Sequence, residues 1–123
     1  MSGTCKILIF QAQLDKDVNT VFEMIPQYKI EYNGKSVVSS KSYMGKEPTW
    51  HDHEKTDHEF HFGANPSGVV KITFESEGTY ICDAQIAASD LANSKNAIKW
   101  YDSQRKGKKS GSFKMQAIYD RPG

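Results

Sequence analysis

The chain has 123 residues, with 16 Lys and Arg against 15 Asp and Glu, 37% hydrophobic and 11% aromatic residues. That is the size of one domain, 1–123, long enough to bury its own core. Near-neutral charge and scattered aromatics exclude an intrinsically disordered segment and a polyanion binder that works through its overall charge.

The chain opens MSGTCKILIFQAQLDKD. The apolar run Ile7 to Phe10 is too short for a signal segment, and no stretch nears the ~20 apolar residues of a spanning helix. Ser2 stands where myristoylation needs Gly. These features predict a soluble, cytoplasmic protein, and the initiating Met predicts an N-terminal position for the domain. Cys5 and Cys82 both adjoin apolar β-type segments, which predicts two buried, reduced thiols.

In chain order, strand patterns dominate. Cys5 to Ala12 is a β-rich apolar run. Asp17 to Ile25 allows two helical turns at most before Pro26. Tyr28 to Tyr32 alternates with period 2, both tyrosines and Ile30 on one face. Asn33-Gly34 suits a two-residue type I′ turn, whose central positions both need positive φ. Lys35 to Tyr43 reads as the return strand. Glu59 to Phe62 alternates again, and Asn65-Pro66-Ser67-Gly68 marks a turn. Val70 to Phe74 puts apolar residues at even positions. Ala84 to Ala88 and Ala97 to Tyr101 are short strand candidates, with a helical turn starting near Ser89. Gly111 leads into the last alternating run, Phe113 to Tyr119. About eight short strands at regular spacing predict an all-β sandwich or barrel.

The segments Lys6 to Leu14, Met24 to Ile30, Glu47-Pro48-Thr49-Trp50 and Phe60-His61-Phe62, followed by Val70 to Phe74, Ile81 to Ile86 and Gly111 to Tyr119, resemble in order the strands of a C2 domain. The likeness spans nearly the whole chain. It is carried by "A-x-L" after the first strand, by Pro26-Gln27-Tyr28 at the entry to the second, by "N-P-x-W" and by "F-x-F". Because the chain starts on K-I-L-I-F-Q-A and ends on G-S-F-K-M-Q-A-I-Y, it resembles the circularly permuted, second topology of that family. The resemblance implies an eight-stranded C2-like Greek-key sandwich.

It also implies where calcium would bind. Calcium-binding members use about five acidic side chains from two loops, because a hard cation needs several oxygen ligands. Here Ile25 stands at the first-loop aspartate before the Pro, and Asn19 at its partner. Ser76 and Gly78 stand at the third-loop positions, and that loop is short. No metal site and no cofactor is expected. Asp15, Asp17, Glu75 and Glu77 are the weak calcium candidates.

Strict antiparallel order gathers the odd-numbered connections at one end: Asp15 to Ile25, Met44 to Asp57, Glu75 to Tyr80 and Ser103 to Ser110. The last holds Arg105, Lys106, Lys108 and Lys109, four cations in five residues; the first holds Phe22 and Met24. An apolar wedge beside a cationic run suits anionic phospholipid head groups, each cation contributing on the order of 1 kcal/mol near the surface. A second basic patch, implied by the resemblance, would use Lys29, Lys35 and Lys41.

His51, His53, His58 and His61 fall within eleven residues. Their spacing matches no familiar zinc pattern, and a polar loop and strand edge is expected. No nucleophile elbow or phosphate-binding loop is present, so no enzyme is expected. Nucleic-acid binding is not expected either, because the aromatics follow strand-core periodicity rather than interleaving with cations. The expected function is therefore calcium-independent, peripheral attachment to anionic membranes. The alternative is a protein-interaction adaptor on the same fold without lipid binding, and a third reading is a weak calcium-dependent lipid binder.

Overall fold

The structure is a computed structural model that describes residues 3–15, 24–43, 45–50 and 58–122. Eight strands and one short helix run through these residues: β1 (Thr4–Gln13), β2 (Pro26–Tyr32), β3 (Lys35–Val38), β4 (Glu59–His61), β5 (Val69–Ser76), β6 (Thr79–Ala87), α1 (Ala88–Ala92), β7 (Ile98–Arg105) and β8 (Lys108–Asp120). The order across the sheet is β3-β2-β5-β6-β7-β8-β1-β4, with every pairing antiparallel. β6 and β7 share a single residue pair, Asp83 with Gln104. The sheet folds over at that seam into two four-stranded layers, a β-sandwich.

Alternation places the core. Tyr28 and Ile30 of β2, Val70, Ile72 and Phe74 of β5, and Phe113, Met115 and Ala117 of β8 are at most 1% exposed. Side chains on a strand alternate between faces, so these residues face the interior while Lys29, Glu31 and Lys71 look out. Phe74 meets Phe113 across the two layers, ring centroids 5.2 Å apart, and Trp50 sits edge-on to Tyr28 at 5.0 Å. The Trp50 indole N–H donates to the Ser40 carbonyl at 3.0 Å, so a large buried ring keeps no orphan donor. Leu91 and Ala88 of α1 are buried and close one end of the core.

Three connections are two-residue turns. Asn33 and Gly34 have φ of 49° and 84°, Glu77 and Gly78 have 48° and 86°, and Lys106 and Gly107 have 53° and 78°. Positive φ at both central positions matches the right-handed twist of the flanking strands. The return strand after Asn33-Gly34 ends at Val38, short of the expected Tyr43. The segment beyond keeps looser contact with β2, through Ser39 N–H to the Tyr28 carbonyl and Ser42 N–H to the Pro26 carbonyl, both 2.9 Å. β6 and β7 are longer than expected, starting at Thr79 and running on to Arg105. Residues 46–50 flank the second half of β1: Ala12 N–H meets the Pro48 carbonyl and Leu14 N–H the Lys46 carbonyl.

Candidate functional site

Antiparallel order brings the end of β1, the start of β2, the end of β3 and the turns Glu77-Gly78 and Lys106-Gly107 to one end of the sandwich. At this end two turns are as short as a hairpin permits. The β7–β8 connection is accordingly a tight turn rather than the loop expected over Ser103 to Ser110.

The four cations of this hairpin do different things. Lys106, Lys108 and Lys109 are exposed at its tip, and Lys109 pairs loosely with Asp102 at 3.5 Å. Arg105 is turned back onto the sheet. Its Nη1 donates to the Tyr80 carbonyl at 3.1 Å and to the Ile81 carbonyl at 2.9 Å, and its guanidinium lies 5.6 Å from the Tyr80 ring centre. Two backbone acceptors beside the one-pair seam are thereby satisfied by a side chain. Arg105 thus differs from the three lysines: its Nη1 is engaged by β6 and its side chain is half-buried.

The expected apolar wedge is corrected in part. Met24 is 1% exposed and belongs to the core cluster, because the chain entering β2 is anchored inward. Next to it, Ile25 N–H donates to the Ser76 hydroxyl at 2.9 Å. Ser76 thus ties the end of β5 to the start of β2 at a position where the resemblance implies a calcium ligand. Phe22 lies outside the described residues.

The calcium candidates are dispersed. Asp15 is exposed just past β1, Glu75 lies half-buried on β5 opposite Tyr80, and Glu77 is exposed in the turn. Asp17 lies outside the described residues. Among the described residues no three His, Cys, Asp or Glu side chains gather closely enough to hold a metal ion.

The three lysines of the second basic patch differ in their surroundings. Lys29 pairs with Glu31 at 3.7 Å on the outer face of β2, and Glu31 stands opposite Lys71 of β5, so the signs alternate. Lys35 spans the open side of the sandwich: its Nζ donates to the Glu59 carbonyl of β4 at 2.6 Å and lies 5.2 Å from the Phe60 ring centre. It links the two edge strands, β3 and β4. Lys41 is exposed beyond β3.

His58 was missed as a structural group. It is fully buried, and its Nε2 is 2.8 Å from the Tyr28 hydroxyl. Only its place beside Glu59-Phe60, where strand burial begins, hinted at this. His61 is exposed, as alternation with Phe60 and Phe62 requires. His51 and His53 lie outside the described residues. Cys5 and Cys82 are buried and unbridged. Burial pushes the Cys5 thiol up to about 12. Burial, opposed by a hydrogen bond with Ser103 and reinforced by the Asp83 charge, pushes Cys82 up to about 11. Neither forms a reactive thiolate at neutral pH.

No described helix is long and apolar enough to cross a membrane. No protein-family model matches the sequence, and no curated protein matches it. Among solved structures, a C2 domain-containing protein from a putative elicitor-responsive gene is similar at 14% identity and TM-score 0.75, covering 98% of this chain and 90% of that one. A C2 domain of a plant extended synaptotagmin 1 is similar at 15% identity and TM-score 0.72, covering 98% and 96%. The calcium-bound pair of C2 domains from extended synaptotagmin 2 reaches TM-score 0.77 at 13% identity, with this chain spanning 45% of its length. The eight antiparallel strands and these superpositions agree: the chain has the fold of a C2 domain.

Proposed function

We propose that this domain is a non-catalytic recognition module that attaches peripherally to anionic phospholipid surfaces without calcium. The observation that carries the reading is the tip of the β7–β8 hairpin, where Lys106, Lys108 and Lys109 stand exposed within four residues. A chain of formal charge +1 has little long-range pull on an anionic surface, so attraction rests on this local cluster. Three cations near such a surface supply on the order of 3 kcal/mol, screened beyond ~10 Å at 0.1 M salt. The calcium-free character is supported by the two-residue Glu77-Gly78 turn and by the commitment of the Ser76 hydroxyl to Ile25. A proposed cytoplasmic location agrees with the reduced, buried cysteines.

The test is co-sedimentation with phosphatidylserine or phosphoinositide vesicles in a calcium chelator at low salt. Pelleting is expected for the wild-type domain. It should fall about 100-fold in affinity for the triple variant Lys106→Ala, Lys108→Ala, Lys109→Ala. Failure to pellet with any anionic lipid at low salt refutes the reading, as does an unchanged triple variant.

A further inference from the structure

Among the described residues, the facing edges of β6 and β7 carry no ladder apart from the pair Asp83 with Gln104. Among the described residues, Ile98 to Asp102 of β7 pair with β8 alone, and Ala84 to Ala87 of β6 with β5 alone. In an antiparallel strand alternate residues direct N–H and C=O to opposite sides, so each edge presents backbone donors and acceptors to solvent. The edges face a cleft of about 320 Å³ whose lining includes Asp83, Gln85, Ile86, Tyr101, Asp102 and Gln104. That lining holds two carboxylates and no lysine or arginine. Tyr101 is braced from within, stacked on the buried Phe113 ring at 5.7 Å.

Exposed edges are commonly blunted by a short strand, a proline or an outward charge. β7 has eight residues and no proline, and two large apolar groups lie exposed on its outer face, Ile98 at 54% and Trp100 at 46%. Lys99 points to the opposite face. On the outer face, Ile98, Trp100 and Asp102 succeed one another at every second residue, two apolar positions followed by a carboxylate.

We infer that the free edge of β7 is a docking site for an extended peptide of a partner protein, taken up by strand addition. Pairing antiparallel to β7, the peptide sets a Lys or Arg against Asp102, an apolar residue against Trp100 and a second against Ile98. Its pattern is (Lys/Arg)-x-Φ-x-Φ, where Φ is apolar. Main-chain hydrogen bonds hold the strand, and the alternate side chains select the sequence. Asp102 complements the peptide's cation, and the second carboxylate of the cleft, Asp83, accepts from the Tyr80 hydroxyl. Lys109 already pairs with Asp102, but that contact is two-thirds exposed on both sides and readily exchanged. A second copy of this chain fits less well: antiparallel pairing centred on Trp100 sets Asp102 against Ile98, a carboxylate against an alkyl group. The site is separate from the lysine tip and does not depend on the lipid reading.

The test uses the whole domain, isotopically labelled, and the peptide acetyl-Thr-Lys-Thr-Leu-Thr-Val-Thr-amide. Titration should shift the amide resonances of Ile98 to Asp102 and Ala84 to Ile86 before others. Trp100→Ala, at an exposed position, should weaken binding about tenfold or more while leaving the spectrum of the folded domain intact. Replacing the peptide's Lys by Glu should weaken it comparably. Lys106→Ala with Lys108→Ala should leave peptide affinity unchanged, which separates this site from vesicle binding. Lack of binding by the wild-type domain overturns the inference, as do shifts located elsewhere or indifference to Trp100→Ala. Sedimentation equilibrium showing a dimer that Trp100→Lys abolishes assigns the edge to a second copy and overturns it too.

Discussion

The amine of Lys35 and the guanidinium of Arg105 both end on backbone carbonyls that the sheet leaves over. Lys35 reaches Glu59 across the open side of the sandwich, and Arg105 reaches Tyr80 and Ile81 across the seam. A hydrogen bond from a charged donor contributes more than a neutral one, though solvent exposure reduces it. Lys35→Ala is expected to cost about 1 kcal/mol and Arg105→Ala about 1–2 kcal/mol in urea unfolding. Arg105→Lys should not recover the loss, because one ammonium cannot reproduce a planar fork aimed at two acceptors. The thiols of Cys5 and Cys82 give a pH dependence. Each binds its proton more tightly folded than unfolded, with the ordinary value of 9.0 raised to about 12 and about 11. Above pH 9 the unfolded chain therefore carries fewer protons than the native one, and stability falls as pH rises. The decline should begin near pH 9 and continue through pH 11 in urea melts, and should shrink in a Cys5→Ala, Cys82→Ala variant. A decline of equal size in that variant would assign it to other groups.

At the scale of elements, β1 and β8 show how a local steric limit positions a strand. Gly111 of β8 lies against the end of β1, where a Cβ would stand 2.3 Å from the Gln13 carbonyl oxygen and 3.1 Å from the Leu14 Cα. Its φ is also positive, at 104°. Both obstacles are backbone, so neither yields as the tip of a flexible side chain would. Gly111→Ala is expected to destabilise the domain by about 3 kcal/mol or more, measured by urea unfolding followed by circular dichroism. A cost below about 1 kcal/mol would show that the two strands can separate freely at this point. The three two-residue turns act differently. Glu77-Gly78 and Lys106-Gly107 shorten one end of the sandwich, and Asn33-Gly34 closes a hairpin at the opposite end.

For the whole molecule, the seam between β6 and β7 divides one continuous sheet into two layers and leaves two edges facing a cleft. The layers are held by rings meeting across the core, Phe74 with Phe113 and Trp50 with Tyr28. A ligand that binds only the folded state raises its apparent stability by mass action. Millimolar calcium is therefore expected to leave the thermal midpoint unchanged within about 1 °C, measured with and without chelator. A rise of several degrees would reveal a site and remove the basis for calcium-free attachment.

Much of this architecture was legible in the order of residues. The period-2 alternation of Val70 to Phe74 and Phe113 to Tyr119 set which side chains are inside, because a strand sends neighbours to opposite faces wherever it lies. Asn33-Gly34 announced its turn through backbone sterics confined to two residues, and the brevity of the stretch after Phe74 was visible by counting. What tertiary structure alone decided concerns partners distant along the chain. His58 sits among polar neighbours in sequence yet is buried, Met24 lies in a connection between strands yet joins the core, and Arg105 and Lys108 are both cations of one run, yet one donates to carbonyls 24 and 25 residues away and the other is exposed. Local pattern carries no record of which backbone groups a fold leaves unpaired, so the use of each charge was settled only when β6 met β7.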